Sequence, residues 1–265
     1  MKQELAKVIT HQPIQGDYYN ITLSTSEIAP LVQPGQFLEV LVPNLADAVL
    51  RRPFSIYNVE EDSVSILYKV VGKGTRAMQR LAPGDEVDVI GPLGNGFPSL
   101  ANGAYPVLIA GGYGAAALYL HARRCLKKGA VFIGGRAALD ILCAEEFRQQ
   151  GWDVQISTED GSLGDRGLIT DLFDRWLKQY RKIHGIQDPI EIFACGPEGL
   201  LRAVGDRAKN NQCSGWLSMD RHMGCGVGVC LTCVIKQKNS EDDWQWARCC
   251  KDGPVFESRE VLWDE

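Results

Sequence analysis

The chain has 265 residues, 45% of them hydrophobic and 23% charged, with a formal net charge of −5. That length accommodates two domains and a small appendage around real apolar cores, while the acidic balance and the lack of any basic run argue against a nucleic-acid partner. The polar opening MKQELAKVIT is no signal peptide and no stretch is apolar for long enough to cross a membrane, so the nine cysteines point to a reducing compartment, the cytoplasm, where thiols serve ligation or catalysis.

Residues 2 to about 97 read as short β segments, among them 18–23, 37–42, 55–59 and 64–70, separated by turn signals at Pro34-Gly35 and Pro83-Gly84-Asp85. The pattern predicts an antiparallel barrel interrupted by one short helix over 75–81, after Gly72-Lys73-Gly74. Within it, Arg51-Arg52-Pro53-Phe54-Ser55-Ile56-Tyr57 sets a guanidinium, a rigid proline, a hydroxyl and aromatic rings along one strand. A guanidinium is permanently charged and bidentate, which suits a diphosphate, and Gly72-Lys73-Gly74-Thr75 is a second candidate phosphate cradle. An edge strand with surface arginines gives the same pattern.

After Gly91-Pro92-Leu93-Gly94 the rhythm changes. Apolar runs at 106–110, 130–134, 153–157 and 191–194 alternate with longer helical patterns, which predicts a parallel sheet with crossover helices; 178–188 reads as a surface loop. The first run passes straight into Gly111-Gly112-Tyr113-Gly114 and a helical stretch, an order that lets helix N-terminal N–H groups approach a pyrophosphate. It is not the G-x-G-x-x-G fingerprint, and a plain tight turn accounts for it equally. A second strand end, Phe193-Ala194-Cys195-Gly196-Pro197, also opens a helix, so two strand ends can line one crevice.

In the last fifty residues Cys225, Cys230 and Cys233 form a C-x4-C-x2-C run with a distant fourth cysteine, the spacing of a plant-type [2Fe–2S] cluster, which moves single electrons. Gly224, Gly226 and Gly228 permit a loop that turns its N–H groups inward. A structural zinc site is the competing reading, although zinc knuckles favour repeated C-x2-C pairs. Spacing leaves both Cys249 and Cys250 open as the fourth ligand. Cys125, Cys143 and Cys213 read as small buried hydrophobes.

Arg52-Pro53-Phe54-Ser55, Gly74-Thr75, Gly91-Pro92-Leu93-Gly94, Gly111-Gly112-Tyr113-Gly114, Asp160-Gly161-Ser162, Cys195-Gly196-Pro197 and Met223-Gly224-Cys225-Gly226-Val227-Gly228 follow one another in a recognisable order. Over essentially its whole length the sequence resembles the electron transfer subunit of NAD-linked dihydroorotate dehydrogenase, a branch of the ferredoxin reductase superfamily. The resemblance implies a multi-domain β plus α/β fold: a ferredoxin-reductase-like antiparallel barrel binding FAD over 1–98, a parallel-sheet NAD-binding domain over 99–215, and a [2Fe–2S] region over 216–265. It implies FAD held by Arg52, Pro53, Phe54, Ser55, Leu67, Tyr68, Lys69, Gly74 and Thr75, and NAD held by Gly111, Gly112, Gly114, Gly196 and Pro197. Cys195 would be the catalytic thiol beside the nicotinamide. The cluster would sit on Cys225, Cys230, Cys233 and Cys250, the last preferred over Cys249 because it immediately precedes Lys251-Asp252-Gly253-Pro254-Val255-Phe256.

Members that use NADP place Ser-Arg where this strand ends Ser157-Thr158-Glu159-Asp160. Glu159 and Asp160 would repel a 2′-phosphate and accept ribose hydroxyls, so NAD is expected. The resemblance further implies an FMN-containing dihydroorotate dehydrogenase catalytic subunit as partner, two of each forming a heterotetramer, with electrons passing from FMN through [2Fe–2S] and FAD to NAD+ in pyrimidine biosynthesis. The chain carries no orotate-binding constellation, as expected if the partner holds the substrate. Val227, Val229, Leu231, Trp244 and Trp246 are candidate docking or covering residues. Two departures stand out: Tyr113 replaces a typical aliphatic and Ala117 the usual helix proline. Rival readings are an FAD/[2Fe–2S] subunit of a ferredoxin-linked transhydrogenase or of a hydrogenase, and an electron carrier with an impaired NAD site.

Overall fold

A computed structural model describes residues 1–43, 45, 49–240 and 243–263. The chain divides into two compact units, the first comprising Met1–Gly96, Arg221–Val234 and Ala247–Pro254, the second Phe97–Asp220, Ile235–Trp246 and Val255–Glu265. The cysteine-bearing segments thus belong to the first unit, while the strands that interleave with them in sequence belong largely to the second.

The first unit is an antiparallel sheet of β1 (Lys2–Gln15), β2 (Tyr18–Ser24), β3 (Phe37–Leu41), β4 (Arg52–Ser55), β5 (Asn58–Glu60), β6 (Ser63–Lys69) and β7 (Glu86–Leu93), with helix α1 (Lys73–Met78). Its order is β4-β3-β7-β1-β2-β6-β5. The sheet curls until Phe54 of β4 meets Tyr68 of β6 edge-on, ring centroids 5.9 Å apart. Ile21, Leu38, Val40, Ile66 and Val89 alternate inward and are fully buried, as the period of two requires. Pro53 sits on the edge strand β4, where a missing N–H costs no ladder bond. The single strand expected over 55–59 is two: the Ile56 N–H donates to Gln36 O at 3.1 Å and the Tyr57 N–H to Ser65 O at 2.9 Å, so the chain changes strand neighbour between them.

The second unit is built on β8 (Tyr105–Gly111), β9 (Ala130–Gly135), β10 (Asp153–Thr158), β11 (Asp165–Arg166), β12 (Ile190–Cys195), β13 (Ser214–Ser218), β14 (Val234–Lys238), β15 (Trp244–Arg248), β16 (Val255–Glu257) and β17 (Val261–Leu262). Seven of them form a sheet ordered β11-β10-β9-β8-β12-β13-β16, parallel except for the β13–β16 pair. Its helices are α2 (Gly114–Arg124), α3 (Ala144–Gln149), α4 (Ile169–His184) and α5 (Glu198–Asn210). The near-continuous apolar runs of β8, β9 and β12 are buried throughout, as strands covered on both faces must be. Residues 178–184, expected in a loop, form the last two turns of α4. Its buried side is Ile169, Phe173, Leu177 and Tyr180, and the polar 178–182 stretch that suggests a loop is mainly the solvent face of the same helix.

His121 on α2 is wedged between Phe193, 4.2 Å away between ring centroids, and Phe97, at 5.1 Å. Its Nε2 has no hydrogen-bond partner among the described residues, and burial, aided by the charge of Lys128, pushes its pKa down to about 4. A depressed folded-state pKa gives stability that is complete above the unfolded value of 6.5 and is lost as pH falls through the folded one. We expect denaturant unfolding to show stability flat above pH 6.5 and reduced by about 3 kcal/mol near pH 4; His121→Leu removes that component of the slope.

Candidate functional site

In the first unit, the register Val40↔Arg52, Glu39↔Pro53, Leu38↔Phe54 and Phe37↔Ser55 gives the β3–β4 ribbon two faces. Arg52 and Phe54 share one with Leu38 and Val40; Pro53 and Ser55 share the other with Phe37 and Glu39. On the first face Arg52 approaches the start of α1: a Cβ placed at Gly74 would lie 3.4 Å from Arg52 Nε. Phe54 meets Tyr68 there. Arg52, Phe54, Tyr68 and Gly74 are thus brought together. The side chains of Leu67 and Lys69 leave β6 on the opposite side from Tyr68, Lys69 Nζ lying 4.7 Å from the centre of the Tyr18 ring. The Thr75 hydroxyl is spent locally, accepting from Val71 N at 2.9 Å and Gly72 N at 3.0 Å.

His11, which no motif singles out, also belongs to this site. Its Nδ1 lies 2.8 Å from Leu81 O, and its Nε2 lies 2.9 Å from the Tyr68 hydroxyl. A carbonyl only accepts, so Nδ1 carries a proton, and Nε2 shares a hydrogen bond with the Tyr68 hydroxyl. Burial, with Tyr19 adding to it, holds that phenol well above its ordinary pKa.

In the second unit, β8 and β12 are adjacent and parallel with Ala110 opposite Cys195, so their carboxyl ends open side by side onto the starts of α2 and α5. The glycines are dictated by this approach. A Cβ at Gly114 would lie 2.2 Å from Cys195 O, and one at Gly111 would lie 2.8 Å from both Pro197 Cδ and Leu200 Cδ2. Gly112 has open space around it but a φ of +53°, the left-handed region glycine favours. Gly111, Gly112, Gly114, Cys195, Gly196 and Pro197 thus form one rim of two interlocked turns, at the place where parallel sheets bind nucleotides. Tyr113 donates from its hydroxyl to Asp220 Oδ2 at 2.8 Å. Burial pushes the Cys195 thiol up to about 12, with Ser218 bonded to it.

At the end of β10 the two carboxylates differ. Asp160 Oδ1 accepts from the Ser162 hydroxyl at 2.6 Å and from its N–H at 2.9 Å, which holds the carboxyl below its usual range. Glu159 is exposed.

The four expected cysteine ligands gather in two pairs. The Val229 and Cys230 N–H groups lie 3.3 and 3.4 Å from Cys225 Sγ. The Cys250 N–H lies 3.4 Å from Cys233 Sγ. Cys249 gives its backbone N–H to Cys233 O instead. Among the described residues no three His, Cys, Asp or Glu side chains converge as a mononuclear metal requires. Two thiol pairs fit a dinuclear centre in which each iron takes two thiolates, and the amides aimed at sulfur are what such a cluster uses to tune its potential. A Cβ at Gly224 would come within 3.2 Å of Cys230 Sγ, so a larger residue there requires the thiol to shift by a few tenths of an ångström.

Residues 220–262 match the family described as the iron–sulfur cluster binding domain of dihydroorotate dehydrogenase B. The chain is 34% identical to the dihydroorotate dehydrogenase B (NAD(+)) electron transfer subunit of Geobacillus sp. strain WCH70, over 99% of both chains, and 36% identical to that of Bacillus caldolyticus, over 98% of both. Among solved structures, the NADH-dependent reduced ferredoxin–NADP oxidoreductase is similar at TM-score 0.84 and 24% identity, covering 98% of this chain and 90% of that one. The cytochrome b5 reductase domain of Ulva prolifera nitrate reductase is similar at TM-score 0.64 and 19% identity, covering 80% and 93%. These two likenesses concern the fold.

The thiols differ enough to be ranked chemically. Hydrogen bonds from Thr232 hold the exposed Cys230 thiol down to about 6, against about 12 for Cys195. In iron-free protein at pH 7, mass-spectrometric mapping of iodoacetamide labelling is expected to find Cys230 modified first and Cys195 among the last; the reverse order would contradict the geometry.

Proposed function

We infer how this chain works from its family: it belongs to the dihydroorotate dehydrogenase B (NAD(+)) electron transfer subunits, and it carries electrons between a catalytic partner and NAD in pyrimidine biosynthesis. When bound, FAD exchanges a hydride with NAD and single electrons with the [2Fe–2S] cluster, a conversion that the protein serves by holding each group in place.

The two thiol pairs are the observation that carries this reading. Cys225, Cys230, Cys233 and Cys250 would ligate the cluster, with the Val229, Cys230 and Cys250 amides bonding to sulfur. On the first unit Arg52 would face the FAD diphosphate beside Gly74, and Phe54 and Tyr68 would order the ring system, while Pro53, Ser55, Leu67, Lys69 and Thr75 would contribute through backbone or from the margin. On the second unit the rim formed by Gly111, Gly112, Gly114, Gly196 and Pro197 would take the nucleotide. Cys195 would order the nicotinamide as a neutral thiol rather than donate or accept a proton. Glu159 would bond the ribose and exclude a 2′-phosphate, with Asp160 shaping the loop that presents it. The intact rim argues against an impaired NAD site, and Tyr113 closes onto Asp220 without filling the turn.

The name of the family calls for a catalytic subunit. We assign its docking face to the cluster loop, where Val229 is 78% and Leu231 61% exposed, and propose a heterotetramer of two of each subunit with FMN on the partner. We place this work in the cytoplasm, where thiol ligands stay reduced.

An anaerobic visible spectrum of the purified chain should show flavin and cluster bands that both bleach on adding NADH, and the chain should reduce artificial acceptors with NADH yet leave dihydroorotate untouched. Dihydroorotate oxidation by the chain alone would overturn the assignment. Cys250→Ser is expected to lose the cluster while Cys249→Ser keeps it. A methyl group at Gly114 forces the two turns apart, so Gly114→Ala should weaken NADH binding about tenfold or more, a strain of ~1–3 kcal/mol, without changing flavin or iron content; unchanged affinity by titration would remove the rim from the NAD site.

A further inference from the structure

Glu39 lies in the middle of β3, on the ribbon face opposite to Arg52 and Phe54. It is 1% exposed, and neither carboxyl oxygen has a hydrogen-bond partner among the described residues. The cluster loop rests directly on it: a Cβ at Gly226 would lie 2.4 Å from Glu39 Cγ and 2.5 Å from Oε1. Gly226 also has φ +68°, so both backbone and carboxyl reserve that position for glycine. The residue paired across the ribbon is Pro53, which has no N–H to offer.

A buried carboxylate without a donor is untenable, and the nearest cations are engaged elsewhere. The Arg51 guanidinium gives its N–H groups to Asp88 O at 3.0 Å and Asp88 Oδ2 at 2.8 Å, and Arg52 gives NH1 to Leu50 O at 2.8 Å and Arg51 O at 3.2 Å. An acid in this position has a proton to give, and the loop packed over it at Gly226 is the one that carries Cys225 and Cys230.

We propose that Glu39 is a positioning residue for the iron–sulfur centre, its un-ionised carboxyl donating a hydrogen bond upward past Gly226 into the sulfur environment of the Cys225–Cys230 loop. This deepens the proposed function and rests on the cluster being there. Donors to cluster sulfur favour the reduced state, whose extra negative charge they stabilise. Glu39 thereby raises the cluster's midpoint from within the β3–β4 ribbon, whose other face holds the residues assigned to FAD.

The test compares the parent chain with Glu39→Gln, whose amide still donates, and Glu39→Met, which fills the slot without a donor. Cluster and flavin midpoints are read by EPR-monitored and optical redox titration. The expected result is a lower cluster midpoint and altered EPR g-values in Glu39→Met, near-parental values in Glu39→Gln, and an unmoved FAD midpoint in both. Redox-difference infrared spectra of the parent should show a protonated-carboxyl C=O band that shifts on cluster reduction and vanishes in Glu39→Gln. This second reading decides the matter should Glu39→Met fail to fold. Parental cluster midpoints in Glu39→Met, or a folded parent whose spectrum lacks the carboxyl band, would overturn the inference; upward shifts in both variants would show an ionised carboxylate and overturn it equally. A parent that purifies without iron defeats the underlying functional reading instead.

Discussion

The cysteine-rich segment depends on one ion pair, between Arg248 and Asp252. It is bidentate, Nε to Oδ2 at 2.9 Å and NH2 to Oδ1 at 3.0 Å, and Oδ2 also accepts the backbone N–H of Arg248 at 2.8 Å. Both side chains are about one-third exposed, so solvent screens the pair and its contribution to stability is small. Its importance is geometric. It closes the turn that carries Cys250, while NH1 of the same guanidinium reaches Gly228 O at 3.3 Å, so one planar group ties the distant fourth cysteine to the loop bearing the other three. Asn95, just beyond β7, fastens the turn to the first unit by donating three times, its backbone N–H to Gly253 O and its amide to Lys251 O and Asp252 O. A cluster needs four thiolates at one place, and these bonds are what deliver the last of them.

Much of this was legible in the residue order because the chemistry acts through backbone. Glycines at 111, 112 and 114, and the C-x4-C-x2-C run, are requirements of close approach and ligand spacing, and such requirements leave one-dimensional marks. What stayed hidden depends on which side chain a remote segment covers. In Phe37-Leu38-Glu39-Val40-Leu41 a lone carboxyl interrupts an apolar strand, and nothing local shows that a loop nearly two hundred residues later lies over it and buries it. The contact of His11 with Tyr68 is of the same kind, separated by 57 positions. Residues 178–184 failed differently. Four polar positions in five outweighed the apolar spacing Phe173, Leu177, Tyr180, which is evident only when the helix is followed from Ile169.

The acidic residues show how one functional group takes several fates from its surroundings. Glu191 is buried in β12 but fully occupied, accepting from the Ala101 N–H at 2.7 Å and the Trp216 indole at 2.8 Å, and so belongs to the fold. Asp160 is exposed but equally occupied, closing a turn on Ser162. Glu159, one residue earlier, is exposed and leads into the crevice edge. Glu39 alone combines burial with vacancy of partners. Of the four, only the last two have a carboxyl to offer a ligand, and their opposite solvation suits opposite tasks: a charged acceptor for hydroxyl groups in one case, an uncharged donor to sulfur in the other.

Tyr113 and Ala117, the two departures at the nucleotide rim, are read best together. A proline at 117, the fourth residue of α2, would fix φ before any ligand arrives, and Ala117 gives up that restraint. Tyr113 restores order by another route. It stands immediately before α2 and its hydroxyl is bonded to Asp220, just past the end of β13, so the turn after β8 is tethered across the carboxyl edge of the sheet, past the intervening β12. An aliphatic residue in the same place could not make that bond. The exchange moves the restraint from the covalent ring of the helix to a hydrogen bond between strand ends, and leaves the glycines, which the close contacts with Cys195 and Pro197 prescribe, free of either.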